Sequence, residues 1–141
     1  MRYILDTCVI SELVRTKPEK SVVNWIHCQQ EEHLYLSVLT LGEIRKGIER
    51  PTDSRKRVQL GNWLDRDLKL RFTGRWLPVD DETSERWGLV TADLLKRGIQ
   101  LPVIDGLIAA TALTHGMTLV TRNTSDVSET GVLLLNPWNI M

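Results

Sequence analysis

What this sequence does without narrows its chemistry early. Cysteine occurs only as Cys8 and Cys28, with no CxxC pair. Zinc-type and dithiol chemistry and a disulfide framework are therefore excluded, and both residues read as reduced thiols. No apolar run approaches the roughly 20 residues a membrane span needs, and the opening MRYILDTCV is too short in apolar run for a signal peptide. A cytoplasmic protein without membrane contact is expected. Charge of one sign is missing too. The 18 Lys and Arg meet 18 Asp and Glu, so no global basic field announces a nucleic acid. There is no Walker phosphate loop and no GxSxG nucleophile elbow. His27, His33 and His115 form no catalytic pattern, and His115 falls near a helix C-terminus, where the macrodipole favours a cation. No repeat, low-complexity tract or linker divides the chain. With 42% apolar and 26% charged residues, residues 1–141 are expected to form one domain with a real core.

What is present is an alternation of short apolar runs and helical periods. YIL (3–5), LYLS (34–37), WLPV (76–79), MTLVT (117–121) and VLLL (132–135) read as strands. Between them, helices are expected over 9–14, 19–29 with Val22, Val23 and Ile26 inward, 38–49, 54–72 with Val58, Leu60, Trp63, Leu64 and Leu68, and 81–98 with Trp87, Val90 and Leu94. The stretch LPVIDGLIAATALTHG (101–116) is a further helix, with Pro102 at its first position and Gly116 as a left-handed stop. Continuous apolar strands are buried on both faces, so the pattern predicts an α/β protein with a mostly parallel sheet.

One acid sits badly in this plan. The 101–116 helix is apolar all round, hence buried, yet it carries Asp105, and a buried carboxylate needs a partner. In open α/β sheets the working crevice lies beyond the carboxyl ends of the strands. Asp6 directly follows the first strand, Asp126 follows LVT through RNTS, and Glu43 lies early in the 38–49 helix. Each acid has a local reading as well: Asp6 as a helix cap, Glu43 as the fourth member of a capping box with Thr40, Asp105 as a partner of the helix dipole, Asp126 as a turn residue. Gathered together they pose one problem. Two carboxylates about 4 Å apart repel by about 4 kcal/mol at an effective dielectric near 20. Such a cluster protonates or recruits a cation, and an all-oxygen donor set suits Mg²⁺ or Mn²⁺, not Zn²⁺.

The quoted segments YILDTCVISEL, SVLTLGEIRKGIE, LPVIDGLIAATALTHGMTLVTRNTSDV and GVLLLNPW resemble the PIN-domain ribonuclease toxins of the VapC type, the FitB-like branch in particular. The resemblance covers essentially the whole chain and is most specific from Leu101 to Asp126. It implies a three-layer α/β/α sandwich, an endoribonuclease dependent on Mg²⁺ or Mn²⁺, an antitoxin protein that blocks the site, and a homodimer. Carried over residue by residue, the family's metal-binding acids fall on Asp6, Glu43, Asp105 and Asp126, and its polar residue of TRN on Thr121, as a group that positions water or a ligand. Members commonly carry an aromatic after the last acid. Here it is Val127, which leaves Asp6 and Asp105 as the principal ligands.

The RNA backbone would meet basic side chains. Residues 45–75 hold ten Lys and Arg against four acids, with Arg45, Lys46 and the 55–57 run as candidates; a solvated helix face explains the same surplus. The five tryptophans read as core or interface anchors. Two other functions stay open. A catalytically silent antitoxin-binding protein needs the fold but not the chemistry. A receiver-like Mg²⁺-binding signalling module wants an acidic pair after the first strand and a late lysine, where this chain has Thr7 and Arg122.

Overall fold

The structure is a computed structural model and describes residues 1–140. Its elements are β1 (Tyr3–Leu5), α1 (Thr7–Leu13), α2 (Lys20–His27), β2 (Leu34–Ser37), α3 (Val38–Glu49), α4 (Ser54–Asn62), a wider-coiled, π-helical continuation over Trp63–Leu68 leading into α5 (Lys69–Arg71), β3 (Trp76–Leu77), α6 (Asp81–Lys96), α7 (Val103–His115), β4 (Thr118–Val120), α8 (Thr124–Val127) and β5 (Leu134–Leu135). The five strands form one sheet in the order β3-β2-β1-β4-β5, and every pair is parallel.

Successive strand residues point to opposite faces, and the sheet sorts its side chains accordingly. Leu5, Leu34, Leu36 and Val120 join one core cluster with Val9, Ile10, Val22, Trp25 and Ile44. Ile4 and Leu119 join the other with Ile108, Ala109, Ala112 and Met117. Helices α1 to α4 thus cover one face and α7 the other, giving the expected three-layer α/β/α sandwich. Helix α6 packs outside α7. At their closest point Gly106 of α7 lies under Trp87: a Cβ there would stand 3.1 Å from the indole Nε1.

Local chemistry explains the element ends. Ser37 caps α3 by accepting the N–H of Leu39, Asp53 caps α4 through Arg55 and Lys56, and Asp80 caps α6 through Thr83. Gly116 stops α7 at φ +64°, the left-handed conformation a glycine adopts without strain.

Several expectations change. Pro102 is the cap residue before α7, extended at ψ 141°, and Val103 is the first helical residue. Because Ser37 caps α3, Thr40 sits inside the helix, and the capping box with Glu43 does not form. Strand β3 ends at Leu77, since Pro78 has no N–H for the ladder. The helix from residue 54 is not uniform. Its widened turn carries Leu64 and Leu68 into the core, whereas Val58 is 63% exposed.

Candidate active site

Strands β1 and β4 are neighbours from which the chain departs in opposite directions: β1 leads to β2 and β3, β4 to β5. A crevice opens beyond the carboxyl ends at such a switch point. Asp6 and Thr121 are the first residues past the two strands, tied into the ladder by the Asp6 N–H to the Val120 carbonyl and the Thr121 N–H to the Leu135 carbonyl. The cleft between them is lined by Asp6, Asp105, Ile108, Leu119, Thr121, Asn123, Asp126 and Val127.

Asp6 does two jobs. Its Oδ1 accepts the first N–H of α1, from Thr7, at 2.8 Å, so the local reading as a cap holds. Its Oδ2 accepts the hydroxyl of Thr121 at 2.7 Å. Thr121 is itself buried, and its oxygen accepts the Asn123 N–H at 3.1 Å. The threonine thereby commits its one O–H to Asp6; it positions Asp6 and the turn that leads to Asp126. Glu43 is not in the wall of this cleft. It stands on the α3 side, where its Oε1 accepts the hydroxyl of Thr7 at 2.5 Å. Thr7 lies 3.1 Å from the hydroxyl of the fully buried Thr40. Asp126, in the short helix α8, is exposed at the rim.

Asp105 occupies the first turn of α7 and is half-buried, not enclosed. The helix dipole there favours an anion, yet its carboxyl is pushed above the usual range. Burial is the first cause, and the charges of Asp6, Glu43 and Asp126 are the others. Asp105 therefore feels the other three acids, although they come from distant parts of the chain. No Lys or Arg forms an ion pair with any of them among the described residues.

The donor set fits a hard divalent cation by chemistry: several carboxylate oxygens, no imidazole, and negative charge that no side chain offsets. By distance it is open. Among the described residues no three His, Cys, Asp or Glu side chains already converge tightly enough to hold an ion, as expected of like charges with nothing between them. Cys8 stands next to Asp6 and Thr121. Its sulfur lies 3.8 Å from Asp6 Oδ2 and 3.7 Å from Thr121 Oγ1, and burial followed by the Asp6 charge pushes its thiol up.

Sequence reasoning missed Thr7, Asn123 and Cys8 as neighbours of the acids. Thr7 and Asn123 had one signal, adjacency to Asp6 and to Thr121. The basic surplus is smaller than it looked. Asp65 pairs with Arg45 and Lys69, and Glu31 with Arg71 and Arg75, so Arg45 is engaged within the fold. Lys46, Arg50, Arg55 and Lys56 are exposed and form no ion pair among the described residues. Trp25 is buried and the other four tryptophans are half-buried, as anchors are.

A family model described as the PIN domain matches residues 3–131. The VapC ribonuclease Y4jK of Sinorhizobium fredii is 37% identical over 135 residues, 96% of each chain. The toxin FitB of Neisseria gonorrhoeae is 34% identical over 136 residues, 96% of this chain and 98% of that one. In three dimensions the chain is similar to the crystal structure of FitAcB from Neisseria gonorrhoeae. There the TM-score is 0.94 at 33% identity, over 98% of this chain and 99% of that one.

Proposed function

We propose, from the premise that the chain belongs to the PIN-domain family, that it is an endoribonuclease dependent on a divalent metal and the toxin of a toxin–antitoxin pair. The observation that carries the reading is the unneutralised acidic cleft at the β1/β4 switch point. Asp6, Asp105 and Asp126 face it, Glu43 stands one threonine away, and burial together with the charges of the other three acids pushes the Asp105 carboxyl up. A structural carboxylate cluster would have acquired a basic partner.

Asp6 and Asp105 would hold the principal ion, Mg²⁺ or Mn²⁺, with Asp126 and Glu43 completing its surroundings. Bound there, such an ion lowers the pKa of water and stabilises charge developing at a phosphodiester phosphorus. The remaining work belongs to the chain. The Thr7 N–H and the Thr121 hydroxyl lock both oxygens of Asp6 in one orientation. Thr7 fixes Glu43 through Oε1 and leaves Oε2 as the atom to accept a proton from the attacking water. Ile108, Leu119 and Val127 line the back of the cleft and limit access of bulk water, which strengthens the electrostatics inside.

The substrate is RNA and the partner an antitoxin protein that covers the cleft. The relatives' names, VapC ribonuclease and toxin FitB, and the likeness to a toxin–antitoxin structure support both. The whole chain acts as one domain, as a homodimer in the cytoplasm; no helix among the described residues is long and apolar enough to cross a membrane.

Purified protein incubated with total RNA tests the reading. Cleavage is expected with Mg²⁺ or Mn²⁺, none with EDTA, and none from Asp6→Asn. Absence of cleavage with every divalent ion, together with tight capture of the antitoxin, would establish the silent binding protein instead.

A further inference from the structure

Of the segment Thr121–Arg122–Asn123, only the middle side chain is not used by the cleft. Thr121 and Asn123 line it. Arg122 lays its guanidinium over the indole of Trp138, with Cζ 5.2 Å from the ring centroid. Trp138 is half-buried and packs against the core cluster of the α1–α4 face. Asn136 fastens the two segments together. Its Oδ1 accepts the Trp138 N–H at 2.9 Å, and its Nδ2 donates to the Arg122 carbonyl at 3.4 Å. An exposed guanidinium is thereby given a fixed seat on the segment whose neighbours line the cleft.

Five other arginines are committed to carboxylates of the fold, and Arg122 is not. Arg15, Arg45, Arg71, Arg75 and Arg97 all reach carboxylates of the protein. Arg122 forms no ion pair among the described residues, although Asp6, Asp105 and Asp126 line the adjoining cleft. An arginine held on an aromatic face keeps its N–H fork free, and that planar fork matches phosphate oxygens. A polyanion approaching four carboxylates needs positive charge to meet it, and Arg122 is exposed one residue from the side chain that orients Asp6.

We propose that Arg122, seated on Trp138, binds a backbone phosphate of the substrate next to the one being cut. The inference rests on the ribonuclease reading above. Arg122 is a binding residue in it, and the reacting atoms lie with the acids.

Steady-state cleavage of a fluorogenic single-stranded oligoribonucleotide in Mg²⁺ tests this with Arg122→Gln and Arg122→Lys. The Gln variant is expected to raise KM about tenfold, the equivalent of one charge-assisted contact, with kcat within about twofold and an unchanged Tm. Its plot of log kcat/KM against log salt should flatten by about 0.7, the share of one phosphate contact on a single strand. The Lys variant keeps the charge and should restore the salt slope. A Gln variant with wild-type KM and slope overturns the proposal, as does a loss confined to kcat or to Tm. Wild-type protein that cuts no RNA in Mg²⁺ or Mn²⁺ removes the nuclease reading and this inference together, whereas a wild type that cuts beside an unaltered Gln variant removes this inference alone.

Discussion

Glu31 and Asp105 are both partly exposed carboxylates at opposite ends of the same sheet, and their surroundings treat them in opposite ways. Glu31, in the turn before β2, is met by two guanidinia. Arg71 donates to it through Nε at 2.6 Å and Nη2 at 3.1 Å, and Arg75 adds a contact at 3.5 Å. Its carboxyl is held below the usual range, first by the Arg71 hydrogen bond. Asp105, beyond the other end, meets burial and three more carboxylates, and is held above it. Side chains at the amino end of the sheet have found their electrostatic partners, while those at the carboxyl end are left in conflict. A fold that satisfies one acid so fully and leaves four others without a cation marks where stability has been given up for chemistry.

Replacing Asp105 breaks this contrast at its strongest point. Asp105→Asn is expected to lower the cleavage rate by about a thousandfold or more, the equivalent of about 4 kcal/mol of lost stabilisation at the reacting phosphate. The same change removes a repelled charge, so in EDTA the melting temperature should hold or rise. Relief of about 1 kcal/mol, already discounted for an open cleft, is worth about 2–4 °C in a chain of this size. A marked loss of stability in EDTA would show that Asp105 serves the fold as a hydrogen-bond acceptor.

A divalent ion should close the contrast from the other side. Mg²⁺ at about one hundred times its dissociation constant is expected to stabilise the wild type by about 2.7 kcal/mol, by mass action on the folded state. Asp105→Asn should gain much less and Glu31→Gln the full amount, since Glu31 faces away from the site. Thermal melts over a Mg²⁺ series measure all three. Equal gains in wild type and Asp105→Asn would mean that the ion binds elsewhere.

The two ends were not equally readable beforehand. Asp105 stood out because an acid interrupts an otherwise apolar helix, and Asp6 because it ends a strand. Both are conflicts between one residue and its immediate neighbours, which a sequence displays. The layers were readable for the same reason, since continuous apolar strands alternate with helical periods. The partners were not. The Thr121–Asp6 hydrogen bond joins residues 115 apart and the Glu31–Arg71 pair residues 40 apart, and only the folded chain makes them neighbours. What holds Glu43 is Thr7 of α1 and not a capping box on its own helix. Residues 54–72 read as one helix with Val58, Leu60, Trp63, Leu64 and Leu68 as its apolar positions, yet Val58 is exposed. The widened turn at Trp63–Leu68 resets the helical phase, so positions after it and positions before it cannot share one stripe.

The smallest expected effect sharpens the comparison most, because it depends on sign. Glu31 has a depressed pKa in the folded state, so its contribution is fully present above its unfolded value and is lost as pH falls through the folded one. At about pH 7, Glu31→Gln should cost about 1 kcal/mol, a modest figure because the side chain is 44% exposed and its pairs are screened. That is about 2–4 °C in Tm, and the gap should vanish as the solution is acidified below the ordinary glutamate range. Asp105 runs the other way. Its raised pKa is a penalty at about pH 7, and the penalty disappears as pH falls through the folded value, which lies above the ordinary aspartate range. In EDTA, then, the Asp105→Asn gap should close on acidification from above the wild-type curve, and the Glu31→Gln gap from below. Melting curves of both variants between about pH 7 and pH 3 read this directly. A Glu31→Gln gap that persisted unchanged at the acid end would assign the loss to packing against Arg71 and Arg75, leaving charge no part in it.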